Sequence, residues 1–466
     1  MSRIKLGFAP TQRPVFDKAE AIKFKGLIQE KLAQYNIDLC TIDALEPDGL
    51  LRRAEDAEMV SKYFVAQEVD AVFFPHCDFG TEAAVARVAK AVGKPVLIWG
   101  PRDDAPQANG SRLRDTQCGL FATTKVLNLF GVPFTYITNS ALESATFDEG
   151  FRNFISAAAV VKAFTGMRIG QISTRPGPFY SVIYNEGELL EKFGIEVIPT
   201  TLTEMEVAVR DLVEANPDIL KETVEGFQQK PGAANLDPVQ LKHMAALKLA
   251  ILDWAKREKL SGASIQCWSA LQSALNIVPC FINGELTAEG FPVACESDVY
   301  GAVTSVMAQA LTTEPVFFAD LTIRHPDNEN AELLWHCGNF PYALAEKTEK
   351  TKLASLGTWA AIGNWELHKG EITLCRFGGM NGQFSMLMGH GKAVEGPYTS
   401  GTYLWADMGD WPLWENRFIR GPYIHHCTGI YGKYAPALYE ACRYIPGLAA
   451  DPVLPTVDEI EKIWRG

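Results

Sequence analysis

Residues 70–100 read DAVFFPHCDFGTEAAVARVAKAVGKPVLIWG. The apolar run AVFFP predicts a buried strand, a polar loop follows it, residues 82–92 have the spacing of a helix, and PVLIW predicts the next strand. A strand, a crossover helix and a second strand are the unit from which parallel sheets are built. The loop with His76 and Asp78 is therefore expected at the carboxyl end of a strand, where α/β folds place functional groups.

The same order of elements occurs on both sides of this stretch. Residues 4–8 predict a first strand and residues 18–35 a first helix. A second series begins at GMRIGQIS, residues 166–173, and continues with the helical NEGELLEKFG and the strand IEVIPT. A long helix is expected at 238–258, because Asp237 is a suitable N-cap and Pro238 suits the first helical position.

From about residue 350 the apolar pattern changes to alternation. GEITLCRF and QFSMLM flank the turn-forming pair Asn381-Gly382, which predicts a β-hairpin. We therefore expect an α/β protein with two Rossmann- or flavodoxin-like domains, at 1–165 and 166–316, followed by a β-rich domain at 317–466 that ends in helices. Thr456 and Glu459 have the spacing of a capping box and predict the start of the last helix.

Composition limits the kinds of partner. The net charge is −13 and no stretch forms a basic stripe, which argues against nucleic acid and favours a small molecule. No run approaches the roughly 18 to 20 apolar residues of a membrane span, and the amino terminus does not read as a secretion signal. The ten cysteines are scattered singly, so neither disulfides nor a structural zinc site is expected. We expect a cytoplasmic protein.

Carboxylates and histidines occur in segments that otherwise predict buried structure. Glu296 and Asp298 lie in PVACESDVYGAV, and Asp320 lies in EPVFFADLTIRHP. Taken alone, Asp320 reads as a turn or cap residue, while Asp298 either begins the following helix or supports a ligand. Three histidines follow in similar surroundings, namely His336, His425 and His426. Carboxylate oxygen and imidazole nitrogen together are the ligand set of a manganese-like divalent ion.

Four motifs together resemble the L-fucose isomerase and L-arabinose isomerase superfamily. ACESDVYGAV, FADLTIRHP, HCGNFP and YIHHCTGIYG follow the order and spacing of its carboxyl-terminal half. In that superfamily an acid follows the first Glu by 24 residues, as Asp320 follows Glu296 here. RDTQCGLFAT at 114–123 and the stretch at 75–100 resemble its amino-terminal domain more weakly. The chain is shorter than fucose isomerases and mixes features of both branches, which leaves the sugar undefined.

The resemblance implies a metal-dependent aldose–ketose isomerase. Glu296, Asp320 and His426 would bind a divalent ion, usually manganese, with His336 as a fourth ligand or a close neighbour. Glu296 and Asp320 would also form the acid/base pair that moves a proton between C1 and C2 through a cis-enediol, in an order that the sequence does not fix. His425 would orient His426 or contact sugar hydroxyls.

Further substrate contacts also follow from the resemblance. Arg13 would contact the far end of the sugar, and Gln266 and Trp268 would line the pocket. The alternatives are a solvated loop charge for Arg13 and a core aromatic residue for Trp268. The family assembles as hexamers or similar rings, in which the amino-terminal domain of one subunit closes the site of its neighbour, so a homo-oligomer is expected.

Two other functions stay open. One is an isomerase of an acidic or sulfonated sugar, for which the guanidinium groups of Arg102, Arg175 and Arg324 are suited. The other is a non-catalytic sugar-binding protein, because two successive α/β domains also describe bacterial sugar receptors. The acids and histidines of the third domain, and an amino terminus without an export signal, favour the enzyme.

Overall fold

The computed structural model describes residues 3–46 and 48–465, and the chain divides into two compact units. Unit 1 comprises Met1–Lys162, Pro436–Ile445 and Thr456–Gly466, and unit 2 comprises Ala163–Ala435 and Pro446–Pro455. The mixed α/β class with a β-rich carboxyl-terminal part is confirmed, while the three domain ranges expected from the sequence stay a prediction. Within the described residues, no helix has the length and apolar character needed to cross a membrane.

Unit 1 is built on a parallel sheet. Its five strands are β1 (Ile4–Phe8), β2 (Ile37–Thr41), β3 (Ala71–Pro75), β4 (Val96–Trp99) and β5 (Thr135–Tyr136). Their spatial order β2-β1-β3-β4-β5 is that of flavodoxin-like folds. The helices that begin in this part of the chain are α1 (Lys18–Leu32), α2 (Ala57–Ala66), α3 (Glu82–Val92), α4 (Thr116–Leu129) and α5 (Ala145–Phe164). Every residue of β3 is buried, as its apolar run predicts.

Local hydrogen bonds explain where these helices end. α3 has the predicted bounds and ends at Gly93, whose left-handed φ of 63° suits a glycine. α1 is shorter than predicted, because the amides of Gln34 and Tyr35 bond the carbonyls of Lys31 and Leu32 in a tight turn. The helical pattern of the sequence continues past this point, but the backbone does not.

Unit 2 begins with a second parallel sheet. Its strands are β6 (Arg168–Ile172), β7 (Glu196–Thr200), β8 (Gly262–Ile265) and β9 (Val293–Cys295), in the order β7-β6-β8-β9. Its helices are α6 (Glu186–Phe193), α7 (Leu202–Ala215), α8 (Asp218–Gln228), α9 (Pro238–Glu258), α10 (Ala270–Leu275), α11 (Cys280–Ala288) and α12 (Val299–Gln309). The predicted start of α9 is confirmed, because the carboxylate of Asp237 accepts the amides of Val239 and Gln240.

A nine-stranded, mainly antiparallel sheet forms the rest of unit 2. Its strands are β10 (Phe317–Arg324), β11 (Ala331–His336), β12 (Lys352–Leu356), β13 (Trp359–Glu366), β14 (Glu371–Met380), β15 (Gln383–Ala393), β16 (Thr402–Asp407), β17 (His426–Tyr431) and β18 (Leu448–Pro452). Their order is β12-β13-β16-β11-β10-β17-β14-β15-β18, and a further pairing of β15 with β16 makes the sheet barrel-like. The predicted hairpin is confirmed, since Asn381 and Gly382 both have positive φ between β14 and β15.

The remaining helices follow the late strands. They are α13 (Trp411–Arg420), α14 (Ala435–Cys442) and α15 (Val457–Arg465). The capping box predicted for the last helix is present, because Thr456 and Glu459 exchange side-chain to backbone hydrogen bonds. Within residues 3–46 and 48–465, four short 3-10 helices complete the elements, at Ala54–Asp56, Tyr180–Val182, Ala233–Asn235 and Tyr342–Leu344.

Candidate metal-binding and catalytic site

Three elements of unit 2 bring the expected acids and histidine together. Glu296 directly follows β9, at the carboxyl end of the parallel sheet, and Asp320 lies on β10. His426 is the first residue of β17, and the antiparallel register places it directly opposite Asp320. Side chains of directly opposite residues project to the same face of a sheet, so this pairing fixes two members of the site together.

The turn that carries Glu296 has an unusual backbone. Glu296 and Ser297 both adopt left-handed conformations, with φ of 62° and 55°. Such a conformation costs about 1–2 kcal/mol for a residue other than glycine. The amide of Ser297 bonds the carbonyl of Ile265, and its hydroxyl donates to the carbonyl of Thr174. These bonds hold the turn in a conformation of the kind that concentrates at functional sites.

Four buried polar atoms at this place lack a hydrogen-bond partner among the residues that the structure describes. They are Oε2 of Glu296, Oδ1 of Asp320, Nε2 of His336 and Nε2 of His426. The His426 nitrogen lies 3.0 Å from the Glu296 oxygen and 3.4 Å from the Asp320 oxygen, but neither pair is aligned as a hydrogen bond. Buried polar atoms are rarely left unpaired. Among the described residues, the side chains whose ligand atoms all lie within 4.8 Å of one another, as the ligands of one cation would, are those of Asp320, His425 and His426. Glu296 lies beside this group, next to His426.

Asp298 orients the imidazole of His426. Its Oδ2 accepts the Nδ1 proton with an N–O distance of 2.8 Å, which leaves Nε2 facing Glu296 and Asp320. The same carboxylate receives two bonds from the guanidinium of Arg376 and caps α12 by accepting the amide of Gly301. A carboxylate behind a histidine is the usual support of a metal ligand. Asp298 therefore caps α12 and also orients His426, and its role as the support of a metal ligand stays a prediction.

Neighbouring charges shift the pKa values of the side chains in this cluster. Burial would raise the pKa of Asp298, but Arg376 and His426 hold it well below its usual range. Burial would likewise raise the pKa of Glu296, and the neighbouring His426 lowers it instead. Burial would lower the pKa of His426, whereas Asp298 and Glu296 raise it to about 8. Glu296 is therefore ionised at neutral pH, as a carboxylate ligand must be, whereas His426 has to release its proton when it binds an ion.

His336 is a close neighbour of this cluster. Its ring centre lies 6.5 Å from that of His426, and its Nδ1 accepts the amide of Cys337 at 2.9 Å. A neutral imidazole that accepts through Nδ1 carries its proton on Nε2, so Nε2 is then a donor. Ligation through Nε2 would require His336 to give up the bond from Cys337. Its role as a fourth ligand stays a prediction.

Two of the expected substrate-binding residues lie at the cluster. His425 packs against His426 with ring centres 4.4 Å apart, and its Nε2 is 4.0 Å from Oδ1 of Asp320. Trp268 is 39% exposed, and its indole donates to Oε1 of Glu296 at 3.1 Å. The alternative of a core aromatic residue does not describe Trp268.

The other two residues expected to contact the substrate, Gln266 and Arg13, form hydrogen bonds within the protein. Gln266 accepts a hydrogen bond from the hydroxyl of Ser173. Arg13 belongs to unit 1, where its guanidinium pairs with Glu82, donates to the carbonyl of Gly80 and stacks on Phe79. These bonds do not describe a freely solvated loop charge. The substrate-binding roles of both residues stay predictions.

Two residues at the cluster are not indicated by the sequence motifs. Arg376 is buried on β14 and supplies the counter-charge to Asp298. Its position as a charged residue in the strand-like segment GEITLCRF is the signal in the sequence that could have indicated it. The ring of Phe179 lies about 6 Å from those of His425, His426 and Trp268. It belongs to a loop rich in glycine and proline, in which nothing distinguishes it beforehand.

Comparison with known proteins finds one family model and several similar enzymes. Residues 7–165 match the family model of the fucose/sulfoquinovose isomerase N-terminal domain. This match and the relatives below support the fucose isomerase-like superfamily, and they indicate an aldose–ketose isomerase. Both predictions from the sequence are thereby confirmed.

Three relatives are named as particular enzymes of this class. A sulfoquinovose isomerase of Alkalicoccus urumqiensis is 25% identical over 72% of this chain and 74% of its own. One of Priestia aryabhattai is 22% identical over 94% and 97%, and one of Clostridium sp. (strain MSTE9) is 27% identical over 57% and 59%. Among solved structures, a periplasmic solute-binding protein of Actinobacillus succinogenes 130z with bound D-allose matches 66% of this chain and 92% of its own. The TM-score of 0.18 and the identity of 14% are too low for this match to support a conclusion about the fold or the function.

Proposed function

We propose that the protein is a divalent-metal-dependent isomerase that interconverts the aldose and ketose forms of a sulfonated monosaccharide. The observation that carries the metal-dependent chemistry is the group of four unpartnered buried atoms around His426. The choice of a sulfonated sugar over an unmodified one is supported by the relatives, one of which is similar along nearly its whole length. A non-catalytic receptor would have no use for such a cluster.

The donor set suits a manganese-like ion. Glu296, Asp320 and His426 would hold it through two carboxylates and one imidazole nitrogen. When bound, such an ion stabilises the negative charge that develops on the two oxygens at C1 and C2 of the sugar. Mn²⁺ is the ion expected from the family resemblance.

The two carboxylates would move the protons. Trp268 occupies Oε1 of Glu296, so Oε2 is the atom left to exchange a proton with the substrate. Asp320 presents Oδ1 from β10, the strand that pairs with the strand of His426. One group removes the carbon-bound proton and the other exchanges the hydroxyl proton, so that the reaction passes through a cis-enediol.

Metal analysis and isomerase assays test the proposal. Purified protein is assayed with sulfoquinovose and a panel of neutral aldoses, with and without added Mn²⁺. Loss of a general acid or base typically costs 10²- to 10⁴-fold in rate, so Glu296→Gln and Asp320→Asn should show losses of that order and reduced metal content. Asp327→Asn, in the exposed turn between β10 and β11, is the matched control. Unchanged metal content and turnover in both site variants would overturn the proposal.

The proposal includes the setting in which the enzyme works. We expect a cytoplasmic homo-oligomer, a hexamer if it follows the family, that binds a small sugar and neither nucleic acid nor membrane. Light scattering of the purified protein measures the oligomeric state, and a monomer at assay concentration would contradict this part.

A further inference from the structure

A pocket opens beside the turn that carries Glu296. It has a volume of about 430 Å³, and the polar side chains that line it are those of Gln171, Thr174, Arg175, Tyr184 and Ser297. It lies where β6 ends, at the carboxyl edge of the parallel sheet. Crevices at that edge are the usual ligand sites of α/β folds.

Arg175 is a cation without a carboxylate partner in the part of the chain that the structure describes. One of its terminal nitrogens donates to the carbonyls of Pro176 and Gly177, and its guanidinium lies 4.6 Å from the ring centre of Tyr180. The other two nitrogens of the guanidinium remain free to donate. A planar guanidinium with parallel N–H groups matches an anion with several oxygens, such as a sulfonate.

The other arginines considered for an anion are placed differently. Arg324 bonds the carbonyl of Glu329 and lowers the pKa that burial raises at the neighbouring Glu332, so its charge already has a carboxylate nearby. Arg102 belongs to unit 1. Arg175 is the one whose side chain lines a pocket in unit 2.

Neighbouring groups would complete an anion site. The hydroxyl of Tyr184 donates to the side-chain carbonyl of Gln171 at 2.8 Å, which leaves the Gln171 amide nitrogen free to donate into the pocket. The hydroxyl of Thr174 is a further lining donor. Together with Arg175, these groups offer the donors that an acceptor-only group needs.

The pocket is linked to the carboxylate–histidine cluster by the chain itself. Ser297 lines the pocket and directly follows Glu296, and consecutive Cα atoms are about 3.8 Å apart. The loop 173–184 carries Arg175 at the pocket and Phe179 against His425 and His426. A monosaccharide whose C1 and C2 lie at the cluster would therefore extend its far end toward Arg175.

We infer that this pocket is the subsite for the sulfonate of the substrate, and that Arg175 determines the preference for a sulfonated over a neutral sugar. The inference rests on the proposed function and names the part of the site that selects the substrate. Arg175 holds the non-reacting end of the sugar, while Glu296 and Asp320 act at the other.

The test compares two sugars that differ at one position. kcat/KM is measured for sulfoquinovose and for glucose, which has a hydroxyl in place of the sulfonate, with Arg175→Gln, Arg175→Lys and the control Arg324→Gln. Charged hydrogen bonds of this kind correspond to a change of order 10- to 100-fold. We expect Arg175→Gln to lose that much toward sulfoquinovose, mainly through KM, with less than twofold change toward glucose, and Arg175→Lys to recover part of it. An equal loss on both sugars, or none, would overturn the inference.

Binding without turnover separates this inference from the proposed function. The probe is the sulfonated alditol made by reducing sulfoquinovose, titrated calorimetrically into protein treated with a chelator. Weaker binding by Arg175→Gln and unchanged binding by Arg324→Gln support the subsite, whereas equal binding by all variants contradicts it. If the wild-type protein isomerises a neutral sugar and not sulfoquinovose, the proposed substrate is wrong. If it isomerises sulfoquinovose and Arg175→Gln does so equally well, only the subsite is wrong.

Discussion

The Nδ1 proton of His426 is held by the carboxylate of Asp298 at 2.8 Å, and that carboxylate is in turn held by Arg376. All three side chains are buried. The direction in which His426 presents its other nitrogen is therefore fixed by an ion pair that does not itself face the substrate. Removing the ion pair should therefore change the orientation of His426 in the site.

Asp298→Asn should weaken metal binding without removing a ligand. The amide can still cap α12, but it loses the charge that orients His426 and leaves Arg376 buried without a counter-ion. We expect about 10- to 100-fold weaker metal affinity and a fall of about 3–5 kcal/mol in the free energy of unfolding. Titration with Mn²⁺ and denaturant unfolding measure the two effects. Asp237→Asn, at the cap of α9, should change neither by a comparable amount, and a similar loss there would contradict the explanation.

Trp268→Phe should impair turnover while leaving metal content intact. The substitution keeps an aromatic ring and removes the indole donor that holds Oε1 of Glu296. A hydrogen bond to a charged group contributes about 1.5–3 kcal/mol, less where water competes, so a fall of about tenfold in kcat is expected. Steady-state kinetics with parallel metal analysis measure this. A loss of bound metal equal to that of Glu296→Gln would show that Trp268 acts differently.

His336 and His426 should respond differently to replacement by glutamine. The amide of Cys337 bonds Nδ1 of His336, which favours a donor at Nε2 over a metal ligand. His426→Gln should therefore lose most of the bound metal, whereas His336→Gln should retain it and show a raised KM. Metal stoichiometry after dialysis distinguishes the two. Comparable loss in both variants would assign His336 to the ligands, as the arabinose-isomerase pattern implies.

Glu332 should make the protein less stable as the pH rises. Burial raises the pKa of this carboxyl from 4.5 to about 7, and one of its oxygens has no hydrogen-bond partner in the described part of the chain. The folded state then binds more protons than the unfolded state between these two values, so the free energy of unfolding falls across that window, by at most about 3 kcal/mol. Denaturant unfolding at pH 4.5 and pH 8 measures the change. Glu332→Gln should remove this part of the pH dependence, and an unaltered profile would contradict the assignment.

Sequence patterns predicted the elements that are governed by local rules. The bounds of α3 and α9, the Asn381-Gly382 hairpin and the last capping box follow from periodicity, caps and turn residues near each other in the chain. The predicted end of α1, at residue 35, was wrong, because the apolar pattern of the sequence continues beyond the point where the backbone turns at Gln34. Such turns depend on carbonyl partners that the pattern does not reveal.

Only some residues of the site were predicted from the sequence. Family motifs indicated Glu296, Asp320 and His426, and the strand register places the last two opposite each other. Arg376 was missed because its importance depends on β14 packing against α12, a contact between distant parts of the chain. Arg175 was one of the arginines considered for an anion, but the pocket around it was not predicted, because residues 171–184 and Ser297 come together only in the fold.

The cross-strand pairing of Asp320 with His426 makes the site insensitive to loop length but sensitive to the register of the two strands. The hairpins between β10 and β17 could gain or lose residues during evolution without moving either side chain, because the ladder and not the intervening length sets their distance. A slip of one residue in that ladder would turn one of them to the opposite face. Homologues should therefore differ freely in the spacing of these two residues along the chain, and engineered insertions belong in the loops between them.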